Sequence, residues 1–119
     1  MIWPTVQGDT LRVLFYQLTP RFGGLTGMQV FFDMVPRDGG AAVVNDAAAG
    51  ICDGTYIIDG VPTVLTPADD WVYYQPQPAD VATLGIYHAT FRVYDPVAQK
   101  SATFPPKDRI EVQIGPDLA

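Results

Sequence analysis

The sequence contains few of the side chains from which enzyme active sites are usually built. Among its 119 residues there is one cysteine, Cys52, one histidine, His88, and one serine, Ser101. A single cysteine excludes an intrachain disulfide, and Cys52 is interpreted as a small buried side chain because no second thiol or histidine lies beside it. The Gly-x-Ser-x-Gly motif of hydrolases and the Gly-rich loop of phosphate sites are both missing. The composition therefore argues against the common nucleophilic and nucleotide-binding enzymes.

Basic residues and long apolar runs are also scarce. Seven Lys and Arg stand against thirteen acidic residues, which gives a formal charge of −6. Because nucleic-acid binding depends on clustered positive charge, this balance argues against a nucleic-acid partner. No apolar stretch approaches the roughly 18 residues of a membrane span, and residues 1–4 carry no basic leader. We therefore expect a soluble protein that has no membrane partner and is made without a secretory leader.

Stretches that favour helices are missing as well. Twelve of the thirteen acidic residues are Asp, and the chain contains eleven Gly and eleven Pro, all of which favour turns over helix interiors. Short strand-like segments recur between these turns, with Asp59-Gly60 as a hairpin signal. This pattern predicts an all-β, antiparallel sandwich or barrel that fills one domain, residues 1–119. Residues 1–4 and 115–119 are predicted to be terminal tails.

Residues 86–93 show the clearest alternation in the chain. Tyr87, Ala89, Phe91 and Val93 form one set, and the residues between them form a second, more polar set. A period of two predicts a strand with one buried face. The segment after it, residues 96–108, is interpreted as a loop because Phe104 is followed by two prolines. The predicted core comprises Val13, Phe15, Val30, Phe32, Tyr87, Phe91, Val93, Ile110 and Val112.

Two groups of residues are candidates for a metal or catalytic site. Asp53, Asp59, Asp69 and Asp70 supply several oxygens, which hard cations prefer, but their spacing fits no EF-hand loop. Solvated loop aspartates are the preferred interpretation. His88 falls in the outward set of its strand and has no evident partner for a metal site or a catalytic dyad. The sequence therefore predicts no catalytic, cofactor-binding or metal-binding residues.

Aromatic residues form the main candidate for an interaction site. Trp71, Tyr73 and Tyr74 stand close together beside two prolines, and alternation lets only part of this run face the core. Core packing, contact with another protein and stacking on a sugar ring all remain open for it. The apolar residues 1–4 are predicted to lie across a neighbouring subunit as an added strand. The predicted partner interface comprises Trp3, Trp71, Tyr73, Tyr74 and His88.

The stretch from Asp80 through Gly85 to Tyr87 resembles the tyrosine corner of immunoglobulin-like sandwiches. In that motif a Tyr at the start of a late strand bonds back to the backbone of the preceding corner, because a crossing loop leaves backbone groups unpaired. Two residues later, where antibody domains have a cysteine, this chain has Ala89. The resemblance therefore implies an immunoglobulin-like sandwich without the disulfide, in which Tyr87, Phe91, Val93 and Phe32 form the structural core.

A longer series of motifs resembles the N-terminal domain of the phage baseplate upper protein family. In order, these are Gly8-Asp9-Thr10, Leu25-Thr26-Gly27 before a long strand, Asp80 with Gly85 and Tyr87, Phe91 in the next strand, and Phe104-Pro105 near the end. Together they span roughly residues 5–114. The chain departs from the family pattern in a longer stretch at residues 53–72. It also lacks a receptor-binding or trimerising segment after Ile114.

The resemblance implies a non-enzymatic structural protein of a tailed bacteriophage virion, made in the cytoplasm of a bacterial host. Its expected place is the tail or baseplate, and its expected partners are other virion proteins and copies of itself. Two alternatives remain open. One is a capsid decoration, head-fibre or neck protein on the same sandwich; the other is a carbohydrate-binding or adhesion module, with Trp71 and the tyrosines as a platform for a host-surface glycan.

Overall fold

Ten short strands and two 3-10 turns make up the chain in a computed structural model that describes residues 1–107 and 109–116. The strands are β1 Ile2–Val6, β2 Leu14–Gln17, β3 Gln29–Pro36, β4 Val44–Ile51, β5 Gly54–Ile58, β6 Val61–Leu65, β7 Trp71–Tyr74, β8 Gly85–Asp95, β9 Lys100–Phe104 and β10 Ile110–Gly115. The 3-10 turns are Pro67–Asp69 and Pro78–Val81. The described residues contain no α-helix, so the prediction of a single, compact all-β domain is confirmed.

The main sheet runs in the order β1-β10-β8-β3-β4-β7-β2, with β9 paired to the second half of β8. All of its ladders are antiparallel except β1 with β10. Strand β4 folds the sheet into two layers, because residues 44–49 pair with β3 whereas Gly50 and Ile51 pair with β7. Strands β5 and β6 form a separate two-stranded sheet, here called the hairpin. The result is a large layer around β8 and a small layer of β7 and β2.

Aromatic rings join the two layers in the core. Phe32 of β3 stacks on Tyr74 of β7 with ring centroids 4.2 Å apart, and Phe91 of β8 stacks on Tyr16 of β2 at 5.9 Å. Tyr87, Ala89, Phe91 and Val93 are all buried, which confirms the alternation predicted for β8. Val30, Phe32, Ile110 and Val112 are buried as predicted.

The predicted core was wrong in β2. Val13 and Phe15 are only partly buried, whereas Leu14, Tyr16 and Leu18 fill the interior. This segment is apolar in both alternating sets, so the period alone does not choose between its faces. Pairing with β7 determines which face of β2 is buried, because it places Leu14 opposite Tyr74 and Phe15 opposite Tyr73.

The predicted terminal tails and late loop also need correction. Residues 2–4 belong to β1, which pairs in parallel with β10 of the same chain and does not form a tail free for a neighbour. Residues 100–104, predicted to be loop, form β9 beside β8. Gly115 ends β10 and so is not part of a tail, whereas residues 117–119 lie outside the described residues. β1 pairs with a strand from the other end of the chain, whereas β9 forms a hairpin with the strand directly before it.

Candidate interaction surface

The two end strands of the main sheet, β1 and β2, face each other across an open groove. In the described structure β1 pairs only with β10, and β2 pairs only with β7. The space between them, here called the β1–β2 groove, has a volume of about 620 Å³. Its main lining residues are Trp3, Arg12, Phe15, Trp71 and the hairpin residues 57–59. The groove therefore runs along two strand edges that an additional segment could join.

Trp3 closes the bottom of this groove. In β1 the alternation turns Trp3 and Thr5 inward, while Ile2 and Pro4 are exposed. Trp3 is paired in register with buried Val112 and packs against the core. Its side chain lines both the groove and a small internal cavity, so it separates the core from solvent at the open side of the sheet.

An aromatic cluster lies beside the groove on the outer face of the small layer. Phe15 contacts Tyr56 of the hairpin edge to face, with centroids 5.8 Å apart, and Tyr73 at 6.2 Å. Tyr56 and Tyr73 lie 5.9 Å apart. The ring of Tyr73 also lies over Gly50, where a Cβ would come within 2.1 Å of it. The hairpin therefore covers Phe15, which explains why an apolar side chain can face outward there.

The hairpin exposes much of its own apolar surface. Ile57, Val61 and Val64 are 60%, 59% and 75% exposed. The register places Ile57 opposite Pro62 and Thr55 opposite Val64, so Ile57, Pro62 and Val64 share one face. A two-stranded ribbon is marginally stable alone, and this one uses the Tyr56 ring as its aromatic contact with the body of the protein. Its exposed face is a candidate for contact with another molecule.

The structure separates the five residues predicted for the partner interface. Trp3 and Trp71 line the groove, and Tyr73 lies in the adjoining aromatic cluster. His88 is half-buried on the outward side of β8 in the other layer, opposite Val35 of β3 and Glu111 of β10. On that same face, Arg92 lies over the Phe31 ring at 4.5 Å and pairs with Asp46 at 3.1 Å. His88 therefore does not join the groove residues.

The prediction that Tyr74 contacts a partner was wrong, because Tyr74 is a core residue. It is buried against Phe32, and its hydroxyl donates to the carboxylate of Asp80. Burial, with a further contribution from Asp80, raises the pKa of the Tyr74 hydroxyl well above its usual value. Asp80 also accepts a bond of 2.8 Å from the backbone N–H of Gln77, so it ties the turn before β8 to β7.

Tyr87 makes the hydrogen bond back to the preceding turn that the sequence predicted for it. The Tyr87 hydroxyl donates to the backbone oxygen of Thr83 at 2.9 Å, and the ring is buried. Gly85 precedes it with φ of +146°, a conformation that a side chain would strain. The ring therefore holds the bend that leads from the second 3-10 turn into β8.

Two of the four aspartates considered as calcium ligands, Asp69 and Asp70, have structural roles. Asp70 is fully buried, and its carboxylate accepts bonds of 2.8–2.9 Å from the backbone N–H groups of Phe22, Gly23 and Gly24 and from Arg21 Nε. Burial alone would raise the pKa of this carboxyl group, but these four donors together hold it below its ordinary value. A carboxylate surrounded by donors has no lone pairs directed at a cation site.

Asp69 and the cysteine also have structural roles. Asp69 accepts a bond from the Thr66 backbone N–H at 2.8 Å, and the described residues hold no cluster of three metal-ligating side chains. Cys52 is buried, as predicted, and burial raises the pKa of its thiol to about 12. Sequence reasoning missed the role of Asp70. The turn residues Gly23-Gly24 gave only a weak signal, since their acceptor lies 46 residues away from Gly24.

Comparison with models of protein families, with curated proteins and with solved structures finds no match to this chain. Across the described ranges, no helix has both the length and the apolar character needed to cross a membrane.

Proposed function

We propose that this chain is a non-enzymatic structural protein of a tailed bacteriophage virion, placed in the tail or baseplate. It acts by binding other virion proteins and copies of itself. The observation that carries this proposal is the exposed apolar face of the hairpin beside the β1–β2 groove, whose lining is mostly aromatic and aliphatic. Exposed apolar surface of this kind is typical of sites where proteins assemble. The family resemblance in the order of the sequence motifs supports the virion as the place of that assembly.

An immunoglobulin-like sandwich is part of the same proposal. The order β10-β8-β3 corresponds to the G, F and C strands of that fold, and β7-β2 corresponds to E and B. The tyrosine corner at Tyr87 stands at the start of the F-like strand, where the immunoglobulin fold has it. The chain differs from antibody domains in having Ala89 at the position of the second cysteine and in running β4 through both layers.

The groove supports assembly better than catalysis. Its charged lining residues are Arg12 and Asp59, whose side chains are supplied by different elements. The Arg12 guanidinium lies 3.5 Å from Asp9 and 3.5 Å from the backbone oxygen of Pro4. An acid–base pair or an activated nucleophile requires convergent polar groups, and the walls here are mostly aromatic and aliphatic. A location in a capsid decoration, head-fibre or neck protein is compatible with the same surface.

A carbohydrate-binding module is the second candidate, because both Trp3 and Trp71 line the groove. Indole rings stack on sugar faces, and Arg12, Gln17 and Asp59 offer polar groups beside them. The burial of Tyr74 removes one tyrosine from the platform that the sequence suggested.

Sedimentation of virions tests the proposed function. Particles of the phage that encodes this chain should contain it after density-gradient purification, and immunogold label should lie on the tail or baseplate. Label on the head or neck would instead favour the decoration alternative. Absence of the chain from particles, together with glycan-array binding that Trp71→Ala abolishes, would reject the structural role in favour of the carbohydrate module.

A further inference from the structure

The hairpin and the β1–β2 groove complement each other in shape and polarity. The hairpin is a narrow ribbon with exposed Ile57 and Val64, and the groove is an open channel with aromatic walls at Trp3, Phe15 and Trp71. In its own chain the hairpin contributes residues 57–59 to one side of the groove and leaves the channel open. Each molecule therefore carries both an apolar insert and an apolar channel.

The charges of the two surfaces are also complementary. The sequence has no Lys or Arg from residue 38 to residue 91, so the hairpin carries only negative charge, with Asp59 at its turn. The groove contains Arg12, whose side chain is 51% exposed. An adjoining cleft shares Met1 and Tyr16 with the groove and adds Lys107 and Arg109 to its wall. Arg12 lies 3.5 Å from Asp9, and Asp59 of the same chain also lines the groove, so the positive charge that an acidic hairpin would meet is Arg12 together with Lys107 of the adjoining cleft.

We propose that the occupant of the β1–β2 groove is the hairpin of a second copy of this chain. The contact is reciprocal, with Ile57 and Val64 of each copy against the groove walls of the other and Asp59 facing Arg12. In each chain the hairpin borders the groove. A two-fold axis beside these two surfaces therefore places the hairpin of each copy in the groove of the other, and the assembly is a closed dimer. This inference rests on the assembly role proposed above and names one partner for it.

The free edge of β2 favours the same arrangement. Leu18 of the β2 segment donates its backbone N–H toward Asp70 at the β7 side, so by alternation Phe15 and Gln17 direct their backbone groups to the groove. On the opposite edge, Pro4 has no N–H and its carbonyl already accepts from Arg12, so β1 offers little backbone to pair with. An entering hairpin strand can pair with the free backbone groups of Phe15 on β2 while its side chains meet the walls.

Sedimentation velocity on the full chain tests the proposal. We expect a discrete dimer with a Kd of about 10 μM or tighter. Ile57→Asp and Val64→Asp each place a charge in the apolar contact and should weaken the dimer at least tenfold, while circular dichroism stays unchanged. The matched control is Val97→Asp, at a valine that is 93% exposed in the β8–β9 turn. It should leave the dimer intact.

Exchanging the charges of Arg12 and Asp59 tests how the two copies are oriented in the dimer. Arg12→Asp and Asp59→Lys should each weaken the dimer, and the double variant should recover most of the loss because it restores opposite charges. A chain that remains monomeric at about 100 μM would overturn the proposal, as would a dimer that the hairpin and Val97 variants affect equally. A monomeric chain that is still found in purified particles would reject the second copy alone and leave the virion role standing.

Discussion

Aromatic rings from opposite layers lie against one another throughout the body of the protein, whereas the hairpin contacts the aromatic residues of that body through the ring of Tyr56 and is otherwise buried mainly at Leu65, at its base. In the body, Phe32 and Phe91 are almost completely buried, and Asp70 and Asp80 hold loops to strands. In the hairpin, Ile57, Val61 and Val64 stay exposed, and only Leu65 is buried. The comparison indicates that the body supplies stability and that the hairpin is available for contacts with other molecules.

Truncating a ring between the layers should have the largest effect. Phe91→Ala removes a side chain that stacks on Tyr16 and lies 5.0 Å from Phe32, so the free energy of unfolding should fall by about 3–5 kcal/mol. Urea denaturation monitored by far-UV circular dichroism measures this free energy of unfolding. Thr90→Ala, on the opposite side of the same strand, is the control and should change the value by less than about 0.5 kcal/mol. A loss below about 1 kcal/mol for Phe91→Ala would contradict the two-layer core.

Neutralising the buried carboxylate should have the next largest effect. Asp70→Asn leaves backbone donors facing an amide, and we expect a loss of about 2–3 kcal/mol at neutral pH. Since the folded-state pKa of Asp70 lies below the unfolded value of about 3.9, its contribution is complete above that pH and is lost as pH falls through the folded-state pKa.

The dependence of stability on acid pH distinguishes the electrostatic role of the Asp70 carboxylate from a general loss of packing. The Asn variant should lose the part of the acid-induced destabilisation that Asp70 causes. Asp38→Asn, at a carboxylate whose side chain is 94% exposed, should retain it. Thermal unfolding of all three proteins between pH 2 and 7 provides the measurement. If the melting temperature of Asp70→Asn depends on pH as that of the wild type does, the stabilisation by the backbone N–H groups around residue 70 does not depend on charge.

Removing the corner hydroxyl should have a moderate effect. Tyr87→Phe keeps the buried ring but deletes the bond to the Thr83 carbonyl, so the loss should be about 1–2 kcal/mol. Tyr94→Phe, on the outward side of β8, is the matched control and should be near neutral. Chemical denaturation resolves this difference. Equal free energies of unfolding for the two variants would show that the hydrogen bond from Tyr87 to the Thr83 carbonyl does not stabilise the fold.

Detaching the hairpin should have the smallest effect on global stability. Tyr56→Ala removes the contact with Phe15 and Tyr73, and we expect the free energy of unfolding to change by less than about 1 kcal/mol because the body keeps its own core. Amide hydrogen exchange in residues 54–65 should nevertheless accelerate at least tenfold relative to β8. Slow exchange in both regions would show that the hairpin is integrated into the body, contrary to the comparison.

The sequence predicted an all-β domain from its turn residues, and it predicted the buried face of β8 because β8 has a single apolar set. It did not predict the orientation of β2 or β7, since both are apolar in both sets and the hairpin later covers Phe15. Tyr74 was assigned to the surface for the same reason. In such segments only the long-range ladder fixes which face turns inward.

The candidate site was partly predictable. Trp3 and Trp71 were selected because large aromatic residues stood near the terminus or beside prolines, and both line the groove. The groove itself depends on β1 pairing with β10, across more than 100 residues, and on the absence of a pair between β1 and β2 in the described structure. No local pattern contains that information, which is why residues 1–4 were expected to reach toward a neighbour.

Both tryptophans of the chain, Trp3 and Trp71, stand on the walls of the β1–β2 groove. The intrinsic fluorescence of the unlabelled protein is therefore a local signal from this one place. Any molecule that fills the groove removes water from an indole ring, so the emission maximum should shift to shorter wavelength as the groove is occupied.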